Sequence, residues 1–546
     1  MNPVGLPIED RQMILDILGE VRERLLTPEK LRDWDRDETF PETEIRELLG
    51  PEIGLQLLFI PEEYGGMGGG ARDVAAFSEG MANICLGVGT AFLAIHLGAD
   101  PILVGATPEQ KEKWLTKLAE EGSIVAYAAT EAEAGSNLAN LKTTANPVND
   151  ETGNLTGYIL NGNKQFISNG GYADFLTVLA QTPDGPSFFI VEKGTPGFTP
   201  GKSEDKHGIR SSNTSPLNFD EVFVPLENLV GGVPGQGLVQ ANEVFGYTRL
   251  MVACCGLGAG MATLEKAINY AKERVQFGSP LIEKQGYTHK LITPFVAQLE
   301  AARAYIEEVA LRLDSGENDL QVEGAIAKLF ATEVANSCAD AAIQALGGYG
   351  YTREYEVEKI KRDVKITTIY EGTSEIQQMI ISTSRPRSRG DIYDPIITDL
   401  GTICQNHSGL KAEVLAALAR LTKNLFIETR KAKLNRQQHV SFRLAMLTTL
   451  LETSVALTKK AALALENTEN MKSLGSADKT ERLRLSACAN TALVAQEAYA
   501  IAGEILFGSG HWSAKEAQAL LNEISFDYAA SQSGLLQDMD GLVASL

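Results

Sequence analysis

At 546 residues and 44% hydrophobic content, the chain can bury a substantial core and is long enough for two to four domains, which excludes a disordered protein. Its formal net charge of −22, with no long Lys/Arg block, excludes general nucleic-acid binding and opposes contact with anionic membranes; an anionic substrate would need a local basic pocket. The six cysteines (Cys85, Cys254, Cys255, Cys338, Cys404, Cys488) form no CxxC pair and the histidines do not cluster with them, so neither a metal site nor a disulfide framework is expected.

The opening run MNPVGLPIEDRQMILDILGEV is acidic early and lacks the basic flank and apolar core of a secretory signal. No uninterrupted apolar run reaches the roughly 18 residues of a membrane span, so a soluble protein of a reducing, cytoplasmic compartment is expected. Helical spacing at 8–26 and 107–121 predicts an α domain over 1–123, interrupted by the Pro/Gly loop Pro61-Glu62-Glu63-Tyr64-Gly65-Gly66. From 124 to 236 the pattern changes to short runs rich in β-formers (SIVAYAA, FLTVLAQ, SFFIVEK, LNFDEVFVP) separated by Gly, Pro, Asn and Asp, which predicts a compact antiparallel β domain. Helical spacing returns over 237–385, with Leu264, Ile268, Ala271 and Val275 on one face of a helix ending near Gly278. The segment Arg385-Pro386-Arg387-Ser388-Arg389-Gly390 reads as a linker, and 386–546 reads as that linker plus an appended helical domain. The fold class is therefore mainly α with a central β domain.

Four segments bear on chemistry. Gly256-Leu257-Gly258-Ala259-Gly260-Met261 imitates a dinucleotide loop, but Met261 stands where the third glycine belongs and no βαβ unit surrounds it; small residues allowing close helix packing explain it better. Ala126-Tyr127-Ala128-Ala129-Thr130-Glu131 followed by Ala134-Gly135-Ser136-Asn137 reads as a turn rich in small residues, where a ligand edge can approach backbone N–H groups. Gly162-Asn163-Lys164-Gln165-Phe166-Ile167-Ser168-Asn169 carries an aromatic and a hydroxyl on a strand, a pattern that alone favours core packing. Ile369-Tyr370-Glu371-Gly372-Thr373-Ser374-Glu375 follows Gln344-Ala345-Leu346-Gly347-Gly348 and Arg362-Asp363; Ser374 and Gln377 form a capping-box pattern that puts Glu371 in a loop before a helix.

The last three of these segments together resemble the acyl-CoA dehydrogenase family over about residues 40–385, and HGIRSSNTSPLNFDEVFVP with the C-terminal extension is most similar to its very-long-chain branch. Asn137 stands where the family usually has Asp, and Phe166 where it often has Trp. The resemblance implies FAD-dependent α,β-dehydrogenation of an acyl-CoA, of long chain in β-oxidation, with Glu371 as the base that removes the α-proton. It implies flavin contacts from Tyr127, Ala129, Thr130, Ser136, Phe166, Ile167, Ser168, Thr373 and Glu375, and substrate contacts from Ser136, Arg249, Tyr370, Glu371 and Gly372. Arg274, Phe277 and Gln285 would reach the pyrophosphate of a neighbouring subunit's flavin, and Gln344, Gly347 and Gly348 its adenosine end, so at least a homodimer is implied.

Some branches place the base just before the residue equivalent to Arg249, but Thr248 stands there, leaving Glu371 as the matched candidate. The resemblance also implies that the backbone N–H of Glu371 helps stabilise the developing enolate oxygen, and that substrate burial lifts the Glu371 pKa from about 4.3 toward neutrality. An electron-transfer flavoprotein is the implied oxidant. The alternatives are an acyl-CoA oxidase and a scaffold protein on the same fold. Residues 87–99 (GVGTAFLAIHLGA) are expected to line the acyl tunnel, and the basic run 430–436 reads as a solvated helix face rather than a membrane contact.

Overall fold

A computed structural model describes residues 5–317, 319–387, 392–470, 476–524 and 526–546. The chain divides into two compact units, Met1–Ala259 with Ala310–Leu320, and Gly260–Val309 with Gln321–Leu546.

The first unit opens with helices α1 (Ile8–Arg24), α2 (Pro28–Asp37), α3 (Glu42–Leu49), α4 (Ala71–Gly105) and α5 (Pro108–Glu121). Local chemistry fixes their ends. Thr107 caps α5 by accepting from the N–H of Gln110, the Gln110 side chain returns the bond, and Pro108 supplies a preset φ at the first turn. Gly122 closes α5 at φ +61, with its α-carbon so near the Leu49 carbonyl that a Cβ would lie 2.4 Å from that oxygen.

Seven strands follow: β1 (Val125–Ala128), β2 (Thr144–Asn149), β3 (Leu155–Ser168), β4 (Phe175–Thr182), β5 (Gly185–Glu192), β6 (Phe198–Pro200) and β7 (Thr214–Pro225). They form one sheet in the order β1-β4-β2-β3-β7-β6, with β5 also paired to β4. The expectation of a wholly antiparallel domain is corrected here, because β1 pairs β4 in parallel (Val125 opposite Phe175) and β2 meets β4 in parallel at Thr144 and Gln181. A long excursion through β2 and β3 separates β1 from β4, which is the connection length that parallel pairing requires. Leu160, Ile167, Leu176, Val178, Phe189 and Phe219 fill the domain's core. Helix α4 lies on β1, with a Cβ on Gly98 set to fall 2.7 Å from Val125 Cγ1, so the small residue is there for close packing.

Helix α6 (Gly237–Glu273) carries the glycines of the imitation dinucleotide loop in its interior. A Cβ on Gly258 would meet the Glu79 carbonyl at 2.2 Å, and one on Gly260 would meet Leu299 at 2.9 Å, which is the close packing expected of them. The helix stops at Glu273 rather than near Gly278, so Val275 is not on its buried face. Val275 and Gln276 form β8, paired with β9 (Ser279–Pro280) across a turn in which Phe277 and Gly278 take φ +52 and +83.

The second unit continues with α7 (Gln285–Leu291), α8 (Thr293–Asp314), α9 (Gln321–Leu346), α10 (Val357–Val364) and α11 (Ser374–Ser384). The appended region is helical throughout its described elements: α12 (Tyr393–Asn406), α13 (Ala412–Lys431), α14 (Gln438–Asn470), α15 (Ser476–Gly508), α16 (Ala514–Ile524), α17 (Tyr528–Gln532) and α18 (Leu535–Ala544). In the segment read as a linker, residues 388–390 lie outside the described residues, but Arg385 is buried, contrary to a solvated linker. Its guanidinium donates to Glu452 of α14 at 2.9 and 2.5 Å and to Glu323 of α9 at 2.9 Å, and the Tyr305 hydroxyl donates to Glu452 at 3.0 Å. Such a pair is stable in a core because every charge meets hydrogen-bonding partners.

Helices α4, α6 and α14 are long and apolar enough by composition to cross a membrane, although their runs are interrupted; 78% of each apolar window is buried within the structure.

Candidate active site

In the first unit, two of the motif segments are fastened to one another. The carbonyl of Thr130, just past β1, accepts from the N–H of Gln165 on β3 at 2.9 Å. Lys164, with no solvent exposure, donates to the Ala129 carbonyl at 3.0 Å and to Glu131 at 2.8 Å. Glu131 also accepts from the N–H groups of Lys142 and Thr143 at 2.6 and 3.0 Å. Burial alone would raise the Glu131 carboxyl, but Lys164 and these N–H groups together hold it below the usual carboxylate range. Burial pulls Lys164 down to about 8, with Glu131 opposing. Neither Lys164 nor Glu131 is among the candidate site residues read from the sequence; a polar Asn-Lys-Gln run inside a strand was the available signal.

Past this anchor Gly135, Ser136 and Asn137 are exposed, and a Cβ on Gly135 would meet nothing within 4 Å, so the turn presents open backbone. Phe166 is 61% exposed at φ +59, where the β3–β7 register shifts, while Ile167 is buried beneath it. The positive φ turns the ring off the core side, so Phe166 is a surface aromatic and not the packed strand residue that its pattern alone favours. Ser168 is half-buried opposite Thr214. Tyr127 packs 5.5 Å from Phe188, and the buried Arg249 lies 5.9 Å over the Phe245 ring.

Residues 87–99 are buried along α4 apart from the half-buried Leu97, but their glycines are not left open: the Cβ space of Gly87 is filled by the Ser211 hydroxyl and that of Gly98 by β1. The small residues here therefore serve packing, which removes them as an argument for a long acyl chain.

In the second unit the Glu371 loop is held from behind. Glu371 takes φ +55, a conformation a side chain adopts only under constraint, and Gly372 follows at +87. The constraint is visible in the hydrogen bonds. Lys328, fully buried on α9, donates to the Gly372 carbonyl at 2.7 Å; Gln377, also fully buried, donates to the Glu371 and Gly372 carbonyls at 3.1 and 2.8 Å. A Cβ on Gly372 would lie 2.6 Å from the Gln377 amide nitrogen and displace its hydrogen bonds, and the φ of +87 is strained for any side chain, so both favour glycine there. The cap of α11 is Thr373, which accepts from Ile376 N–H at 3.4 Å; Ser374, expected to be the cap, instead donates to Glu333 at 2.5 Å. The expected capping box is thus shifted by one residue, and Gln377 serves the loop. The Glu371 and Tyr370 side chains are half-buried, and Glu375 is exposed, its carboxyl lowered by its own backbone N–H and the Thr373 hydroxyl.

A cleft of about 440 Å³ in the same unit brings together Arg274, Gly347 and Gly348 with Tyr270, Ala345 and Tyr349. The guanidinium of Arg274 lies 5.9 Å over the Tyr349 ring. No atom would lie within 4 Å of a Cβ on Gly347 or Gly348, so their backbone is open to a ligand, and Arg274 offers planar paired donors beside it. These features suit the pyrophosphate and adenosine portion of a dinucleotide. Gln344 and Gln285 are exposed and are not in the cleft lining, and Phe277 projects from its hairpin 98% exposed.

Three family models match in chain order: the acyl-CoA dehydrogenase N-terminal domain at 8–122, the middle domain at 126–222 and the C-terminal domain at 235–384. A short-chain specific acyl-CoA dehydrogenase of Megasphaera elsdenii is 39% identical over 379 residues, 68% of this chain and 96% of that protein. A chain in the solved structure of the electron transferring flavoprotein of Acidaminococcus fermentans matches with a TM-score of 0.65 and 36% identity, covering 70% of this chain and 99% of its own length. An acyl-CoA dehydrogenase complexed with FAD from Bacillus anthracis matches at 24% identity with a TM-score of 0.82 over 99% of this chain and 96% of that one, so the fold likeness includes the appended helices.

Proposed function

Because the chain belongs to the acyl-CoA dehydrogenase family of FAD-binding oxidoreductases, we propose that Glu371 is the base that takes the α-proton of its acyl-CoA thioester. The observation that carries this reading is the pinned loop: a carboxylate residue at φ +55 whose own carbonyl and the next are gripped by Lys328 and Gln377. A base gains from a fixed heading, since proton transfer requires hydrogen-bond reach in one pose. With the carbonyls held, the Glu371 N–H also keeps its direction, and we assign it a hydrogen bond to the thioester oxygen as negative charge develops there. Tyr370 and Gly372 would flank the substrate beside it, and Ser136 and Arg249 are assigned to the substrate on the family likeness alone.

The FAD, when bound, supplies the acceptor for the hydride leaving the β-carbon. Phe166, Ile167, Ser168, Tyr127, Ala129, Thr130 and Ser136 are the residues we assign to its ring end, with Thr373 and Glu375 at the loop; Arg274, Gly347, Gly348 and Gln344 are assigned to the pyrophosphate and adenosine of a flavin belonging to a second copy. A homodimer is supported by Phe277 and Tyr351, which stand 98% and 85% exposed and adjoin in sequence the cleft residues Gln276 and Thr352. We assign an electron-transfer flavoprotein as oxidant on the family likeness.

A long acyl chain is our finer assignment, resting on the likeness of residues 207–225 and the appended helices to the very-long-chain branch. The short-chain specificity of the Megasphaera elsdenii relative is its direct rival. Anaerobic titration of the holoprotein with palmitoyl-CoA and, in parallel, butyryl-CoA separates them. Flavin bleaching by palmitoyl-CoA alone is expected. Bleaching by butyryl-CoA alone would reverse the chain length, peroxide formation in air would indicate an oxidase, and a bound flavin that no acyl-CoA reduces would indicate a scaffold.

A further inference from the structure

Gln285 opens α7, and its amide nitrogen donates to both carboxylate oxygens of Asp540 in α18, at 3.1 and 3.2 Å. His289, one turn further along α7, places Nε2 3.0 Å from the same carboxylate, and Lys272 at the end of α6 donates to the Leu546 carbonyl at 2.6 Å. Helix α18 is itself seated on the appended domain. Its Met539 and Leu542 are buried, a Cβ on its Gly541 would lie 3.0 Å from Leu485 of α15, and Lys411 stands 3.2 Å from its Asp538. The other side of α7 is fastened to α9 through Tyr287, whose hydroxyl donates to the Ala345 carbonyl at 3.0 Å. Ala345 lines the cleft that holds Arg274. Helix α7 is thus clamped between the cleft wall and the last helix of the chain.

The chemistry of the clamp fixes an orientation. An ionised carboxylate only accepts, so Gln285 must turn its nitrogen toward Asp540 and its Oε1 away. Among the described residues no donor meets that Oε1. An outward carbonyl oxygen accepts from hydroxyl or amine groups and is repelled by phosphate oxygens, which differs from a role at the pyrophosphate.

We propose that Asp540 is a positioning residue for the cofactor: it holds Gln285 so that Oε1 accepts from a ribose hydroxyl or the adenine amine of FAD, leaving the pyrophosphate to Arg274. The inference rests on reading this region as the cofactor's adenosine site. It gives the appended domain a part in holding the flavin.

The test measures FAD dissociation constants by flavin fluorescence on full-length apoprotein, for wild type, Gln285→Ala, Asp540→Ala, the double variant and Asp540→Asn, with the apoprotein melting temperature of each. Gln285→Ala and Asp540→Ala are each expected to weaken binding about five- to tenfold, the upper range for one neutral hydrogen bond. The double variant should be no worse than Gln285→Ala, and Asp540→Asn, which keeps an acceptor, should recover most of the affinity at an unchanged melting temperature. Additive losses, or weakening by Gln285→Ala with none by Asp540→Ala, overturn the positioning role alone. A drop in melting temperature without rescue by Asn also overturns it, in favour of a purely structural helix. If Gln285→Ala itself leaves FAD affinity unchanged, the cofactor reading of Gln285 fails first and the proposal falls with it.

Discussion

Lys164 in the β domain and Lys328 in the helical bundle are both shut away from solvent, and each fastens a loop that carries a motif glutamate. They do it differently. Lys164 seizes the carboxylate of Glu131 itself, whereas Lys328 grips the backbone beside Glu371 and leaves the loop's acid half-buried. One glutamate has its carboxylate held by the buried lysine; in the other loop the lysine and Gln377 hold backbone carbonyls instead. Two short acidic motifs of similar appearance thereby separate into an anchor and a candidate reagent, and the difference lies in which atoms the neighbouring lysine reaches.

The contrast can be broken by exchanging the acids for amides. Glu371→Gln is expected to slow anaerobic bleaching by acyl-CoA about 10²–10⁴-fold with flavin content unchanged; bleaching near the wild-type rate would remove Glu371 as the base. Glu131→Gln should instead cost about 3–5 kcal/mol of folding stability in a denaturant melt, because Lys164 keeps its buried charge without its counterion. A variant as stable as wild type would show that the anchor is dispensable.

Lys328→Met sharpens the comparison from the other side. It removes one of the two buried donors on the Gly372 carbonyl and leaves Gln377 alone there, at about 1.5–3 kcal/mol for a hydrogen bond from a charged group, and should lower the bleaching rate while the protein still binds FAD. The smallest effect is in the pH dependence. Glu131 is held below its ordinary 4.5, so the unfolded chain takes up that proton first on acidification. The stability it contributes is complete above about pH 4.5 and is lost as pH falls through the lowered folded value. Lys164, pulled down to about 8, gives a slope of the same sign in alkali: between 8 and 10.5 the unfolded chain binds the extra proton, and this site's contribution rises with pH. Glu131→Gln should flatten the acid limb measured by thermal melts; an unchanged limb would place the dominant titration elsewhere.

The helix–sheet–helix order was legible because it is written in local periodicity, 3.6 residues per turn against two per strand repeat. What was illegible depended on distant partners. The parallel pairing of Val125 with Phe175 joins residues 50 positions apart, and no local pattern carries its direction. The motif surrounding Glu371 supplies a candidate base, but Lys328 lies 44 residues before the Gly372 it grips, in a helix where it looks like any other solvated lysine. The exchange of Ser374 for Thr373 as the cap is a one-residue error of a different origin, since both are hydroxyl residues and only the backbone angles at Thr373 decide. Phe166 shows the same limit: its strand pattern favours core, and a positive φ reverses it.

The charges around Arg385 bear on how the appended domain could be gained or lost. The polypeptide joint falls near residue 386, but the electrical joint does not, because Arg385 and Glu323 share their buried network with Glu452 of α14. A gene trimmed at the joint would express a bundle whose inward-facing arginine had lost the acid it meets through two donors, and whose Tyr305 hydroxyl had lost its acceptor. Conversely, a shorter ancestor acquiring the helices by fusion would have had to acquire this set of charges in step with them. Engineering a minimal enzyme from this chain therefore begins with replacing Arg385 and Glu323 together by apolar residues, and only then with the deletion.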